Sequence, residues 1–250
     1  MNNPHWISAV FSPTGGCAAI AKAITGGQGQ VVDLSLPVPH TPVADSALML
    51  AVVPVFGGRV PAVALERLAA LQGSGPAAAV VVYGNRAYED ALLELTDSLT
   101  AGGFQVAGAA AFIAQHSIAP TIAQGRPDGS DLDNAARFGQ ALLDKLAGQA
   151  PAAPVTVPGN TPYKEWKGVP FHPIAGEACI SCALCAARCP VGAIPTGQPN
   201  ETDPERCMTC MRCVSLCPRK ARTIPAPALQ ATTAMLEEKA GPPRPPEWVL

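Results

Sequence analysis

Charged residues are scarce in this chain, and neither sign prevails. Only 14% of the 250 residues are charged, and 17 basic against 19 acidic residues leave a formal charge of −2. We expect no nucleic-acid partner, because proteins that bind nucleic acids usually carry a basic excess. Long apolar runs are also lacking. The longest, at 47–56 and 106–114, have about half of the roughly 20 residues that a membrane span needs.

The N-terminus lacks the cationic segment and apolar stretch of a secretory signal, so we expect a cytoplasmic protein. The apolar content, 48% of the chain, excludes disorder along its whole length.

Nine cysteines are too few for a disulfide scaffold, yet eight of them lie between Cys179 and Cys217. The ninth, Cys17, stands alone. Clustered cysteines in a chain without a leader indicate a metal site.

Apolar runs alternate with amphipathic segments over the first 147 residues. Strands are predicted at 6–11, 31–34, 48–53, 77–83 and 104–114. Helices are predicted between and after them, and Ser130 with Asp133 three residues later predicts the start of the last helix. Strands that alternate with helices favour a parallel sheet covered on both faces. We therefore predict an α/β fold with a doubly wound, five-stranded parallel sheet.

Proline marks the end of this α/β region. Six prolines between residues 151 and 173 predict an extended linker. We expect a first domain at 1–150, a proline-rich linker at 151–175, a cysteine-containing domain at 176–222 and a C-terminal tail at 223–250. The tail includes a short helical stretch and Trp248, which either packs against a domain or is free.

The cysteine region contains the one internal repeat that we find in the sequence. Both runs have the spacing C-x2-C-x2-C-x3-C-P, the first from Cys179 to Cys189 and the second from Cys207 to Cys217. Three thiolates at this spacing can hold three corners of one [4Fe–4S] cube, and the fourth thiolate then ligates the other cube.

This doubled run resembles bacterial two-[4Fe–4S] ferredoxins, which are small α+β domains. The resemblance implies one cluster on Cys179, Cys182, Cys185 and Cys217, and another on Cys207, Cys210, Cys213 and Cys189. Two zinc sites with four thiolates each are the alternative interpretation. Zinc modules, however, usually separate their cysteine pairs by longer loops.

Three loops follow predicted strands and meet at the carboxyl edge of the predicted sheet, where open α/β sheets bind ligands. They cover residues 11–17, 55–61 and 83–90. The first, FSPTGGC, offers hydroxyl groups, glycines and helix N-terminal amides, which suit a phosphate monoester. It has neither the lysine of a nucleoside-triphosphate loop nor the pattern G-x-G-x-x-G.

The three loops together resemble the FMN loops of flavodoxin-like domains, over about residues 5–148. The resemblance implies a phosphate site formed by Ser12, Thr14, Gly15, Gly16 and Cys17. It also implies that Gly57 and Gly58 present backbone to the flavin, that Asn85 bonds its pyrimidine ring, and that Tyr88 stacks on it. Cys17 departs from the family pattern of a hydroxyl or amide residue, which weakens one bond to phosphate.

His116 follows the fifth predicted strand and faces the same edge of the sheet. It is either a structural hydrogen-bonding residue or a group that takes a proton near the flavin. We find no acid–base constellation for a dedicated small-molecule substrate and single out no catalytic residue.

The whole chain resembles flavodoxin–ferredoxin fusion proteins of anaerobic microbes. The resemblance implies intracellular electron transfer between FMN and two [4Fe–4S] clusters, and on to a redox partner protein. One alternative is a ferredoxin-type carrier whose flavodoxin-like domain binds no flavin and serves to dock a partner. Another is an enzyme that reduces a substrate near His116, with the clusters as its internal electron supply.

Overall fold

The computed structural model describes residues 5–148 and 155–250. The expected border between the first domain and the linker, at residue 150, lies outside the described residues. In the first region the elements are β1 (His5–Val10), α1 (Gly16–Thr25), β2 (Gln30–Asp33), β3 (Thr41–Pro42), β4 (Ala47–Pro54), α2 (Ala62–Leu68), β5 (Leu71–Gln72), β6 (Pro76–Tyr83), α3 (Ala91–Ala101), β7 (Gln105–Ile113) and α4 (Gly129–Ala147). In the second they are β8 (Ile174–Ala175), α5 (Leu184–Ala187), α6 (Arg212–Leu216), β9 (Arg222–Thr223), α7 (Ala226–Ala240) and β10 (Glu247–Val249).

The central sheet has the strand order β10-β7-β6-β4-β1-β2. Five neighbouring strands, β2, β1, β4, β6 and β7, run parallel, which confirms the predicted five-stranded parallel sheet, and their order is that of flavodoxin-like folds. The sixth, β10, is antiparallel to β7 and comes from the expected tail, so the sheet has one strand more than we predicted. β3 and β5 form a separate two-stranded pair.

Helices cover both faces of this sheet. β4, β6 and β7 are almost entirely buried, as expected of apolar parallel strands between two helical layers. On one face, Ile20 of α1 and Phe138 of α4 belong to the same core cluster as Val52 of β4. On the other face, α2 and α3 contribute Leu68 and Leu95 to a second cluster.

Helix α4 begins earlier than the sequence pattern predicted. Its N-cap is Asp128 rather than Ser130, and a capping box joins the Asp128 carboxylate to the amide of Asp131, whose carboxylate in turn accepts from the Asp128 amide. Arg126 donates two further hydrogen bonds to the Asp131 carboxylate, which is buried. Because of this ion pair, the helix begins after Asp128, at the earlier of two capping patterns in the sequence, Asp128 with Asp131 and Ser130 with Asp133.

The two cysteine runs fold into similar loops. Ser181 and Ala183 of the first run have positive φ values, as do Thr209 and Met211 at the same positions of the second. Each run contains a short helix, α5 in the first and α6 in the second, and β8 pairs with β9 across the ends of the module. The result is a small ferredoxin-type domain after the flavodoxin-like α/β domain.

The C-terminal segment returns to the first domain. Trp248 of β10 pairs with Ala110 of β7, and its ring lies 5.9 Å from the ring of Phe138. Leu236 and Ala240 of α7 join a small core cluster with Ala119 and Ile122. Trp248 is therefore packed against the first domain. No helix in the described ranges is long and apolar enough to cross a membrane.

Candidate cofactor sites

A first cavity in the ferredoxin-type domain is lined by four cysteines drawn from both runs. They are Cys179, Cys182, Cys185 and Cys217. Arg222 lines the same cavity and donates from Nε to the Sγ atom of Cys185, 3.3 Å away. Four thiols around one cavity are the donor set that a cubane cluster requires.

A second cavity is lined by the remaining four cysteines of the runs. They are Cys189, Cys207, Cys210 and Cys213. In the described part of the chain, no three cysteine, histidine or acidic side chains converge as they would around a single metal ion. Burial raises the pKa of Cys210 to about 12 and that of Cys213 to about 11. Metal binding at this cavity therefore has to release thiol protons.

Backbone amides point at the last cysteine of each run. Ala193 N donates to Cys189 Sγ at 3.3 Å, and Ala221 N donates to Cys217 Sγ at 3.2 Å. At Cys217, desolvation raises the thiol pKa, but hydrogen bonds from backbone amides, including that of Ala221, outweigh it and lower the pKa overall. N–H···S bonds of this kind stabilise thiolates and tune the electronics of a bound cluster.

Two further cavities lie at the carboxyl edge of the parallel sheet and share His116 and Ser117 as a common wall. The larger, 530 Å³, is lined by Thr14, Gly15 and Gly16 at the start of α1. The smaller, 270 Å³, is lined by Gly57 and also by residues outside the flavodoxin-like domain. The larger volume falls in the range of about 300–1,000 Å³ that is usual for small-molecule sites, and the smaller lies just below it.

The ferredoxin-type domain forms part of the walls of these cavities. Met208 and Thr209 line the smaller cavity, and Met211, Val214 and Ser215 line the larger one. Cys210 itself lines a narrow cavity together with Ser12, Gly16 and Cys17. The second cysteine run thus lies directly against the loop that we assigned to phosphate.

The local conformation of that loop follows from its glycines. Gly15 has φ 101°, a left-handed conformation that favours glycine, and α1 begins at the next residue. A Cβ atom on Gly16 would lie 2.8 Å from the Cβ atom of Ala114. Ser12 Oγ accepts from the amide of Ala18 at 3.0 Å, and Cys17 is buried in the core, where desolvation raises the pKa of its thiol.

Trp166, which the sequence analysis did not select, covers the second loop. A Cβ atom on Gly57 would lie 2.1 Å from the Trp166 ring, so the ring packs directly on the Gly57 backbone. The segment that carries Trp166 is held by Asp90, whose carboxylate accepts from the amides of Asn160 and Lys164 at 2.8 and 2.6 Å. At Gly58, φ is +91° and the Glu89 carboxylate occupies the space of a Cβ atom.

Asn85 and Tyr88, expected at the flavin ring, bind the C-terminal segment instead. The buried Asn85 amide donates to Ala240 O and Pro242 O at 3.2 and 3.1 Å, and its oxygen accepts from Arg244 N at 2.9 Å. Tyr88 donates its hydroxyl hydrogen to Glu247 at 2.9 Å. The structure therefore brings the expected phosphate loop and Gly57 to the cavities, but not the polar groups of these two side chains.

His116 lies at the junction of the two larger cavities. Its Nδ1 atom accepts from the amides of Ile118 and Ala119 at 3.3 and 3.1 Å. Burial, together with the charge of Arg86, lowers the pKa of His116 to about 4. The ring is therefore neutral at pH 7, and the proton resides on Nε2.

Two arginines that the sequence analysis did not assign contribute positive charge here. Arg126 lines the larger cavity, and its guanidinium pairs with Asp131 and donates to Arg244 O at 2.9 Å. Arg212, within the second cysteine run, donates to Ser35 Oγ at 2.8 Å and to Ser12 O at 3.4 Å. Neither lies in a recognisable anion motif, so the sequence alone gave no reason to select them.

Comparison with known proteins identifies the cysteine region. Residues 173–218 match the model of a 4Fe-4S dicluster domain family. The chain matches no curated protein sequence.

Solved structures similar to part of the chain include a flavodoxin from the domain Archaea, with 16% identity and a TM-score of 0.39, covering 58% of this chain and 99% of that one. A flavodiiron core, Flv1 of Synechocystis sp. PCC6803, has 15% identity and a TM-score of 0.36 over 57% of this chain. A rubredoxin oxygen:oxidoreductase of Desulfovibrio gigas has 14% identity and a TM-score of 0.33 over 57% of this chain. This chain spans 37% and 36% of the lengths of the latter two.

Proposed function

We propose that the chain is an electron-transfer protein that passes electrons between FMN at the sheet-edge cavities and two [4Fe–4S] clusters, and on to a redox partner protein. A flavodoxin-like fold joined to a 4Fe-4S dicluster domain supports an electron-transfer role. The proposed transfer between FMN and the clusters depends mainly on one observation. Cys210, a proposed cluster ligand, lines the same narrow cavity as Ser12, Gly16 and Cys17 of the phosphate loop.

The eight cysteines of the two runs hold the clusters in this proposal. Cys179, Cys182, Cys185 and Cys217 bind one cluster, and Cys207, Cys210, Cys213 and Cys189 bind the other. Each set lines a separate cavity of the ferredoxin-type domain, which supports the assignment. The N–H···S bonds at Cys189 and Cys217 stabilise the thiolates that each cluster needs.

The sheet-edge cavities fit FMN at its phosphate end. Thr14, Gly15 and Gly16 offer a hydroxyl group and helix N-terminal amides in the larger cavity, and Arg126 adds a cation. Ser12 holds the loop by accepting a hydrogen bond from the Ala18 amide in the first turn of α1, and Cys17 contributes its backbone rather than its buried thiol. When bound, FMN exchanges two electrons with donors or carriers and single electrons with clusters.

At the ring end, the smaller cavity is lined both by apolar side chains and by Arg86, Lys164 and Lys239. Gly57 and Gly58 shape its loop, and Trp166 and Met208 lie on its wall. Phe56 and Trp166 are aromatic residues that line this cavity, and in this proposal Trp166 contacts the flavin ring. Asn85 and Tyr88 reach the ring only if they exchange their present partners in the C-terminal segment.

The first experiment is an anaerobic visible spectrum of the purified protein, with iron, sulfide and released flavin quantified. About eight irons per chain follow from two clusters, together with one FMN. Eight irons with no flavin, even after FMN is supplied, would exclude the flavin and leave a ferredoxin-type carrier. Four irons or fewer would contradict the proposed pair of clusters.

A variant at the phosphate loop tests the flavin site separately. Thr14→Ala removes a hydroxyl group from the larger cavity, and we expect weaker FMN binding with unchanged iron content. Thr41→Ala, an exposed threonine of β3, is the matched control. Equal FMN affinity in both variants and the parent chain would argue against phosphate binding at this loop.

The second candidate function is the carrier whose flavodoxin-like domain docks a partner and binds no flavin. The bonds of Asn85 and Tyr88 to the C-terminal segment favour it, because those groups are already satisfied. A titration with FMN that leaves the fluorescence of Trp166 unchanged, judged against a Trp166→Phe variant, would support this candidate.

A further inference from the structure

The internal repeat places two different residues beside the two candidate clusters. Ile194 lies five positions after Cys189, and Arg222 lies five positions after Cys217. Both side chains are buried, with 4% and 2% exposure. Ile194 lines the cavity of Cys189, and Arg222 lines the cavity of Cys217. The same position in the repeat is therefore apolar at one cavity and cationic at the other.

The Arg222 guanidinium is fixed by hydrogen bonds to neutral groups. Besides Cys185 Sγ, it donates to Thr202 Oγ1 at 2.7 Å and to the carbonyl oxygens of Pro199 and Glu201 at 2.5 and 2.8 Å. A longer bond, of 3.4 Å, reaches Pro173 O. None of these partners is a carboxylate, so the buried positive charge is left for the thiolates of the cavity to balance.

The cavity of Cys189, Cys207, Cys210 and Cys213 also has a cation in its lining, Arg212, but the guanidinium of this arginine contacts residues of the flavodoxin-like domain. Arg212 lines that cavity, while its guanidinium reaches Ser35 Oγ and lies 4.0 Å from a carboxylate oxygen of Asp33. The charge of Arg222 also acts at longer range on the thiols of Cys207 and Cys213. It lowers their pKa values, but desolvation has the larger effect and raises them overall. The direct hydrogen bond from its guanidinium to sulfur, however, goes to Cys185.

We propose that Arg222 makes the two cluster sites unequal, and that the site of Cys179, Cys182, Cys185 and Cys217 has the higher reduction potential. This inference rests on the cluster assignment under the proposed function. Reduction adds one negative charge to a cluster and its thiolates. A buried cation that donates to a ligand sulfur stabilises that added charge more than an isoleucine does.

The consequence is a direction for the electron inside the ferredoxin-type domain. One electron leaves the site of Cys189, Cys207, Cys210 and Cys213, which is oxidised, and enters the site that Arg222 serves, which is reduced. No proton, bond or further reactant is involved in this exchange. Because Cys210 also lines the narrow cavity of Ser12, Gly16 and Cys17, the cluster site of Cys210 would pass electrons and the site with Arg222 would retain them.

The test is a redox titration of the complete protein, followed by electron paramagnetic resonance with dithionite as reductant. In Arg222→Gln, which removes the charge, we expect the potential of the site reduced first to fall, with electron binding weakened about tenfold, or about 59 mV for one electron. Arg222→Lys retains the charge and should retain most of the potential. Ile194→Met is the matched neutral substitution at the equivalent position and should leave the first potential unchanged.

Equal shifts of both potentials in Arg222→Gln, or a shift confined to the lower one, would overturn the proposal. Iron content separates this outcome from failure of the proposed function, because four irons or fewer in the parent chain contradict the pair of clusters itself. If Arg222→Gln does not retain iron, nuclear magnetic resonance of the parent protein reduced by one electron shows which cluster site is reduced first. The paramagnetically shifted protons of Cys185 must then change before those of Cys207, and the opposite order rejects the proposal.

Discussion

Asn85 shows how a residue can be located from sequence while its partners are not. Its place directly after a buried strand follows from the alternation of strands and helices. Its three hydrogen bonds reach residues 240–244, more than 150 positions later in the chain. No local pattern carries that information, because the bonds depend on how the C-terminal segment returns to the sheet. The same holds for Trp166, whose position over Gly57 depends on a distant segment.

We expect Asn85→Ala to lower the free energy of unfolding by about 2 kcal/mol, because it removes three hydrogen bonds of a buried amide and leaves the carbonyl of buried Ala240 without this partner. Chemical denaturation followed by circular dichroism under anaerobic conditions measures the change. Asn134→Ala is the control, since this half-buried side chain bonds only Ser130 O and Arg137, both within its own helix. A loss no larger than that of the control would show that the C-terminal segment does not rely on Asn85.

His116 makes stability depend on pH in a defined direction. Its pKa is lowered from about 6.5 in an unfolded chain to about 4 in the fold. Below pH 6.5 the unfolded chain takes up a proton that the folded chain does not bind until about pH 4. The stability due to neutral His116 is thus complete above pH 6.5 and is lost progressively as the pH falls toward 4.

The measurement is the melting temperature of the parent chain and of His116→Asn at pH 7.5 and 5.0. Asn can replace the Nδ1 acceptor with its side-chain oxygen but does not titrate. We expect the parent chain to lose more stability than the variant between the two pH values. Any acid lability of clusters affects both proteins equally, so parallel losses would remove His116 as the cause.

Among the elements, the long helix α4 was predictable in kind but not in its first residue. The sequence contains two capping patterns in succession, Asp128 with Asp131 and Ser130 with Asp133. The structure uses the first, because the Asp131 carboxylate also pairs with Arg126. Strand β10 was not predictable, since its three residues follow a run of prolines and show no periodicity. It exists as a strand because the edge of β7 is available to pair with it.

The two candidate caps of α4 can be distinguished directly. We expect Asp128→Ala to destabilise the protein by about 1 kcal/mol through loss of the N-cap hydrogen bond. Ser130→Ala should change stability by less than about 0.5 kcal/mol, as usual for an exposed position without such a role. Denaturant midpoints of the two variants measured side by side test this, and equal effects would mean that the capping box is not the dominant interaction.

At the scale of the whole molecule, the two domains are joined by contacts that no sequence pattern predicts. Arg67 donates to Pro190 O at 2.6 Å, and Arg212 donates to Ser35 Oγ at 2.8 Å. The fold of each domain follows from periodicity and cysteine spacing. Their arrangement depends on isolated long-range pairs such as these, which is why the shared cavity wall became known only from the structure.

Removal of the last nine residues tests whether packing of the C-terminal segment stabilises the flavodoxin-like domain. A truncation after Gly241 deletes β10 and two of the three partners of Asn85, so we expect a lower melting temperature for the flavodoxin-like domain. Trp248→Ala is the partial variant, which keeps the strand and loses only the ring contact with Phe138. An unchanged melting temperature in the truncated chain would show that β10 adds nothing to the sheet.

Removal of iron tests the contact between the domains. Without bound iron we expect the second cysteine run to loosen, so that hydrogen exchange accelerates at the amides of residues 12–17, against which it lies. The amides of α4 away from this contact serve as the internal control. Unchanged exchange at residues 12–17 would indicate that the sheet-edge loop is ordered independently of the cysteine domain.

The position of β10 in the chain has a consequence for synthesis. The unpaired edge of β7, with its row of small apolar residues, is covered only by a strand that follows the whole cysteine region. On the ribosome, the sheet is therefore assembled with an open edge while the cysteines emerge. Open strand edges invite pairing with other chains. Until β10 pairs with β7, the nascent chain therefore exposes an edge at which other chains can pair.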